Sequence, residues 1–367
     1  MTTQTATNRI FNFSAGPCTL PLEVLEAAQS QFVDYGGEGM SLIEMSHRSK
    51  TVDGVHTEAL SLMRELLGVP DTHHILFLGG GATLQFSMIP QNLLAGDNKK
   101  AAYTHSGAWA KKAIGDAKLF GDIDVIWDGA DSDYASLPDP ATLSVPTDAA
   151  YLHLTSNETI GGVQWKDFPT TDVPIVADMS SDILSRALPW EKFGIVYAGA
   201  QKNIGPAGMA LVIIRDDILQ SCPDNVPLYA NYKKHQGAGS MLNTPPVFQI
   251  WMVKLVLEWL KGKGGLVYAA DMAAKRSGIV YDAIENSGGY YRCPVDADYR
   301  SPMNVVWRLP SEELEAKFIA EATAAGLSGL KGHRSVGGCR ASIYNAMPVE
   351  GAEALATFMG EFAKGNG

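Results

Sequence analysis

With 367 residues, 46% of them apolar and 19% charged, the chain is long enough to bury one large core and a smaller one, so two domains are expected. A formal net charge of -11 repels a phosphate backbone, which excludes nucleic acid as a general partner and leaves any small anion to a local cluster of cations. No apolar run approaches the ~20 residues that cross a bilayer, and residues 1–8 are polar without a basic-then-apolar pattern, so the chain reads as a cytoplasmic protein with neither membrane span nor signal peptide.

Cys18, Cys222, Cys293 and Cys339 form no C-x-x-C pair and no Cys/His spacing suited to zinc, so they read as reduced thiols and no metal is expected.

Through the first two thirds, apolar runs alternate with amphipathic segments, the pattern of an α/β fold with a mostly parallel sheet covered by helices. Residues 74–78 form the first predicted strand, which runs into Gly79-Gly80-Gly81 and then a helical spacing at Leu84, Phe86, Ile89 and Leu93. A glycine run between strand and helix is either a tight connection or a cradle, in which bare amides around Gly81 and Ala82 receive a phosphate. Next, Ser106-Gly107-Ala108-Trp109 sets an indole among small residues, where it serves as core or as a platform for a flat ligand.

Residues 151–154 and 173–177 are further strands, and the second ends in Asp178. A carboxylate at the end of so apolar a strand is buried and needs a partner: the amides of the following turn, or a protonated ring nitrogen. The strand at 195–197 leads to Lys202 at the lip of a Gly/Pro-rich turn. Burial penalises the charged form of an amine and leaves it free to attack an aldehyde, so Lys202 is a candidate Schiff-base nucleophile.

A strand at 210–214 follows, then a long helix with Thr244 as expected N-cap, Pro245 and Pro246 in its first turn, and a stop near 262–265. The domain change is placed on this helix, giving a large domain over 15–255 and a small α+β domain over 256–367 joined by residues 1–14. The small domain holds a strand at 303–309, a helix at 311–325 capped by Ser311, and a strand at 339–344. Two His-Arg pairs, His47-Arg48 and His333-Arg334, together with Arg340, are either solvated surface charges or a pocket for a substrate with two anionic ends.

Taken together, Asn12-Phe13-Ser14-Ala15-Gly16-Pro17, Ser46-His47-Arg48-Ser49, Thr155-Ser156-Asn157-Glu158-Thr159, Asp178-Met179-Ser180-Ser181, Gly199-Ala200-Gln201-Lys202-Asn203 and the stretch 332–345 closely resemble the phosphoserine aminotransferase family. The resemblance runs in order from Ile10 to about Gly351. It implies a pyridoxal-phosphate (PLP) enzyme of fold type I, the aspartate-aminotransferase fold. Lys202 would carry the cofactor covalently, Asp178 would pair with its ring nitrogen, Trp109 would stack on the ring, and Thr159 would bond its hydroxyl. Gly81, Ala82 and Gln201 would hold the phosphate, with Asn243 and Thr244 reaching over from the second subunit of a homodimer. Ser14, His47, Arg48, His333, Arg334 and Arg340 would bind substrate, Arg340 at the α-carboxylate. Where some members carry a larger or basic residue, this chain has Ala82, which leaves that contact to the backbone.

The activity implied is transamination between L-glutamate and 3-phosphohydroxypyruvate, a step of serine biosynthesis. The phosphorylated four-carbon keto acid of vitamin B6 synthesis has the same charged ends and is a second expected acceptor. Two rivals share the lysine and aspartate. An alanine–glyoxylate type aminotransferase has no need of two His-Arg pairs, and a cysteine desulfurase needs a cysteine in a mobile loop, which none of the four provides. A third rival, a non-catalytic anion-binding protein, predicts a colourless chain.

Overall fold

The computed structural model describes residues 9–96 and 98–367; the polar leader, residues 1–8, lies outside the described residues. In chain order the elements are β1 (Phe11–Asn12), α1 (Leu22–Gln31), α2 (Lys50–Leu67), β2 (His73–Gly79), α3 (Ala82–Leu93), β3 (Lys100–His105), α4 (Ala108–Ala117) and β4 (Asp122–Asp128). Then come β5 (Leu152–Thr155), β6 (Asn157–Glu158), β7 (Val163–Gln164), β8 (Ile175–Asp178), β9 (Phe193–Gly199), β10 (Met209–Arg215), α5 (Asp216–Ser221) and α6 (Tyr232–Gly237). The rest is α7 (Val247–Lys263), α8 (Gly265–Glu285), β11 (Asn304–Trp307), α9 (Glu312–Ala324), β12 (Leu327–Ser328), β13 (Cys339–Ser342) and α10 (Val349–Asn366).

Seven strands make the main sheet in the order β2-β10-β9-β8-β5-β3-β4. Only β10 runs against its neighbours; every other pairing in the sheet is parallel. Both faces are covered at the centre of the sheet, so β8, β9 and β10 are apolar almost throughout rather than alternating with polar residues. Along β10, Leu211 and Ile213 enter the core shared with α2 and α7, while Val212 and Ile214 enter the one under α3 and α4. Strands β3 and β4 were not among the predicted ones. Lys-Ala-Ala-Tyr-Thr-His has little β-branched character, and the half-exposed Asp-Ile-Asp-Val-Ile-Trp-Asp, though rich in Ile and Val, is interrupted by aspartates; their pairing in the sheet makes them strands.

A third core binds β11, β13, α8, α9 and α10 around Trp307, Phe318 and Phe362. The chain's beginning belongs to it: Phe13 is fully buried there, and β1 runs parallel to β12 with Phe11 opposite Leu327. Ser311 caps α9 as expected, its hydroxyl accepting the Leu314 amide.

One expectation needs correcting. Thr244 does not cap α7; the cap position is Pro246, and no side chain bonds there. A residue that precedes proline is kept out of the helical region, which bars Thr244 and Pro245, and Pro246 stands in a tight turn closed by Val247 N–H donating to the Pro245 carbonyl at 2.8 Å, so the helix starts only after it. Leu257 and Leu260 of α7 pack in the large core beneath the sheet. Gly264 and Gly265, both at positive φ, then let the chain turn straight into α8, a helix the sequence reading left out.

No helix among the described residues is long and apolar enough to cross a membrane.

Candidate active site

The strand register creates the site. Thr155 and Asp178 stand side by side at the carboxyl ends of β5 and β8, and Tyr197 of β9 lies opposite Asp178. Clefts beyond strand carboxyl ends are where open α/β sheets bind ligands. Gly81, Ala82, Trp109, Thr159, Asp178, Gln201 and Lys202, all expected at the cofactor, line one cleft here, together with Phe86, Thr155, Asn157, Ser180 and Ser181.

Lys202 follows the last residue of β9 by three positions and is buried, with 8% of its surface exposed. Its turn is held from two sides. Ala200 N–H donates to the Met209 carbonyl at 2.9 Å and Gly205 N–H to the Ala200 carbonyl at 2.8 Å. On the other side, Cys18 Sγ donates to the Lys202 carbonyl at 2.7 Å, and a Cβ on Gly16 would lie 3.3 Å from the stems of Gln201 and Lys202. The Ser14–Pro17 motif is therefore a glycine-permitted brace against the lysine turn.

Inside the cleft, Lys202 Nζ donates to Thr159 Oγ1 at 2.6 Å and lies 5.6 Å from the centre of the Trp109 ring. Burial pulls its pKa down to about 8, and Arg340 acts in the same direction, against the attraction of Asp178 and Glu158. At that pKa roughly a fifth of the amine is neutral near physiological pH, far more than for a solvated lysine.

Asp178 is 5% exposed. The capping alternative is the one seen: its Oδ1 accepts the Ser180 amide at 2.9 Å and the Ser180 hydroxyl at 2.6 Å, which leaves the cleft-lining carboxylate oriented rather than consumed. Ser180 Oγ also accepts the Gly199 amide at 3.0 Å, tying the acid to the strand that delivers the lysine. Burial raises the Asp178 pKa, opposed by the Lys202 charge and the Ser180 bonds. A cationic ring nitrogen opposite it would relieve that penalty.

The glycine loop is fastened to the lysine hairpin by Gly80 N–H donating to the Gly208 carbonyl at 3.0 Å. With Gly81 as its N-cap and no side-chain cap, α3 opens its first amides onto the cleft, where nothing within 4 Å would meet a Cβ on Gly81. Trp109 Nε1 and Thr155 Oγ1 are buried without a hydrogen-bond partner among the described residues. Free amides, partnerless polar atoms, an oriented acid and a depressed lysine together fit a flat, polar, anionic aldehyde.

Arg340 is buried at the edge of this arrangement. Its guanidinium donates to the Thr159 carbonyl at 3.3 Å, its Nε has no partner, and it makes no ion pair among the described residues. His333 and Arg334 lie in a turn, with His333 Nδ1 and Ser335 Oγ 2.7 Å apart and the Arg340, Lys112 and Arg334 charges adding to burial in lowering the His333 pKa. Ser14, His47, Arg48, Asn243 and Thr244 do not line the cleft of a single chain. Ser14 packs on Gly329, where a Cβ would meet its Oγ at 2.5 Å. Arg48 is exposed in the turn before α2, and Asn243 and Thr244 are exposed in the turn before α7.

The sequence reading missed Glu158, Ser180, Thr155 and Asn157. All four lay within quoted motifs, but nothing local marks which polar residue of a motif turns inward.

The class-V aminotransferase family model matches residues 10–355. The chain belongs to this family. Its aminotransferase relatives include the phosphoserine aminotransferase of Geobacillus kaustophilus, 49% identical over 97% of this chain and 99% of that one. The solved phosphoserine aminotransferase from Bacillus circulans subsp. alkalophilus superposes with a TM-score of 0.96 at 50% identity, covering 98% of this chain and 99% of its own. A PLP-bound phosphoserine aminotransferase from Trichomonas vaginalis gives 0.88 at 38% identity, covering 96% and 99%. The fold is that of the PLP-dependent transferases of type I, and the cofactor of this aminotransferase is pyridoxal phosphate.

Proposed function

We propose that the chain catalyses reversible transamination between L-glutamate and 3-phosphohydroxypyruvate, yielding 2-oxoglutarate and O-phospho-L-serine. The observation that carries this is Lys202, buried in the cleft with a depressed pKa, among residues that fit pyridoxal phosphate. Near-complete coverage of phosphoserine aminotransferases at about half identity supports the choice of substrates.

Pyridoxal phosphate, when bound, supplies a ring that takes up the electron pair left at the substrate α-carbon. Lys202 would hold it, with Gly81, Ala82 and Gln201 at its phosphate, Trp109 and Thr159 at its ring, and Asp178 at its nitrogen. Asp178, held by Ser180, keeps a fixed negative charge at that nitrogen and so keeps it protonated. Lys202 Nζ, in its neutral form, takes the α-proton of the amino acid and returns a proton when the keto acid is aminated. Thr159 aims that nitrogen. Arg340, a buried cation without an acid partner among the described residues, binds the α-carboxylate.

His47, Arg48, His333 and Arg334 are assigned to the distal carboxylate or phosphate, with Ser14 beside the substrate. Exposed Asn243 and Thr244 complete the phosphate site of a second subunit, so the working unit is a homodimer. The large unit is taken as residues 15–255 and the small one as residues 256–367 with 1–14, and α8, which follows that division, supplies Ala269 to one core and Val280 to the other. The free cysteines are in keeping with a cytoplasmic location.

The test is spectroscopic and kinetic. The purified protein should show a visible band that borohydride abolishes while fixing the cofactor to the peptide containing Lys202. Steady-state rates should favour 3-phosphohydroxypyruvate over glyoxylate; comparison with the phosphorylated four-carbon keto acid then ranks the two phosphorylated acceptors. A colourless protein, or one preferring glyoxylate, would sink the assignment.

A further inference from the structure

We infer that Glu158 is a positioning residue of the cofactor cleft: reaching over from β6, its carboxylate caps α4 and fixes the Trp109 ring beside Lys202. The inference rests on the reading of the cleft as a pyridoxal-phosphate site.

Glu158 has no exposed surface and does not line the cleft. Its Oε2 accepts the Trp109 amide at 3.2 Å and its Oε1 the Ala110 amide at 2.9 Å. These are among the first-turn donors that a helix cannot satisfy internally. The N-cap of α4 is Gly107, which has no side chain to offer, so an acid 51 positions later in the chain does the capping. Gly107 is also what admits it: a Cβ there would lie 2.8 Å from Glu158 Cδ and 3.0 Å from its Oε2.

The acid has no ion-pair partner among the described residues. Its negative charge is faced by the positive end of α4 and by Lys202, with Asp178 and Tyr134 on the unfavourable side. Burial raises its pKa to about 7, against the pull of the two amides. A group this costly to bury, with both oxygens spent on the backbone of one aromatic residue and its neighbour, does more than close a helix. The adjacent Thr159 carries the hydroxyl that accepts Lys202 and the carbonyl that accepts Arg340. One dipeptide therefore sets the ring platform, the lysine and the arginine relative to each other.

The test compares wild type with E158Q and G107A, the second displacing the carboxylate without removing it. Three quantities are read: the pyridoxal-phosphate dissociation constant by equilibrium dialysis, the pH midpoint of the visible band, and the melting temperature of the cofactor-free protein. In E158Q an amide N–H₂ faces one of the two backbone donors, and cofactor affinity should fall about tenfold. The midpoint should move to lower pH, because a negative charge facing Lys202 is lost while Asp178, Asp182 and Arg340 stay. G107A should lose affinity to a similar degree. Unchanged affinity and midpoint in the variants, with only a lower melting temperature, would reduce Glu158 to a structural cap and overturn the inference; should E158Q not fold, G107A decides alone. A wild type without a visible band would instead refute the cofactor reading itself.

Discussion

Lys202 Nζ and Thr159 Oγ1 are 2.6 Å apart, and the carbonyl of that same threonine receives the Arg340 guanidinium at 3.3 Å. One residue thus holds the amine proposed to do the chemistry and the cation proposed to hold the substrate. Replacing Thr159 with alanine leaves Lys202 without its acceptor. Cofactor affinity should fall about tenfold, the usual cost of a lost buried hydrogen bond, with a parallel fall in kcat. Equilibrium dialysis and initial rates check both; wild-type values for each would mean the contact is incidental.

Lys202→Ala should retain some pyridoxal phosphate without covalent attachment and lose transamination. The check is borohydride reduction followed by peptide mapping, together with a rate assay. Near-normal turnover would remove Lys202 from the mechanism.

Asp178→Ala should lower kcat by about 10³-fold or more while changing KM far less, because a fixed charge matched to the ring matters most when electrons move into it. Equal losses in the two constants would mark the acid as structural only.

Arg340→Ala should raise the KM for glutamate by about 10²-fold with a smaller effect on kcat, the signature of a lost charge-assisted carboxylate contact. An unaltered KM removes Arg340 from the substrate pocket.

His153 offers a pH test independent of catalysis. It is fully buried, stacked on Tyr103 at 4.6 Å between ring centres and 2.8 Å from Tyr197 Oη, and burial depresses its pKa to about 3. Between pH 6.5 and 3 the unfolded chain binds a proton there that the folded chain does not, so this group's contribution is present above 6.5 and drains away as pH falls through 3. The loss is up to about 1.4 kcal/mol per pH unit. The difference in urea stability between wild type and His153→Gln should narrow steadily over that interval. A constant difference would show that His153 is protonated in the folded state.

What could be read in advance had local causes. The Lys202 turn was legible because a fully apolar strand followed at once by glycine and proline must bury whatever lies at its lip. Asp178 was legible for the same reason, and Ser311 because a cap needs only its own next three residues. The α7–α8 junction was not, since two glycines that replace a loop look like an ordinary helix stop. Glu158 was invisible because its partner, Gly107, is far away in sequence and is marked only by lacking a side chain.

The sequence by itself determined the chemistry on offer: an amine, an acid, an aromatic platform, and two His-Arg pairs with a further arginine in an acidic chain. Tertiary structure decided which of them meet. The pairing of β5, β8 and β9 sets Thr155, Asp178 and the lysine turn at one edge, and burial there, not residue type, lowers the pKa of Lys202 and raises that of Asp178. Desolvation depends on everything packed around a group, and the segments that exclude water from this cleft come from five separate stretches of the chain, so no local reading could supply it.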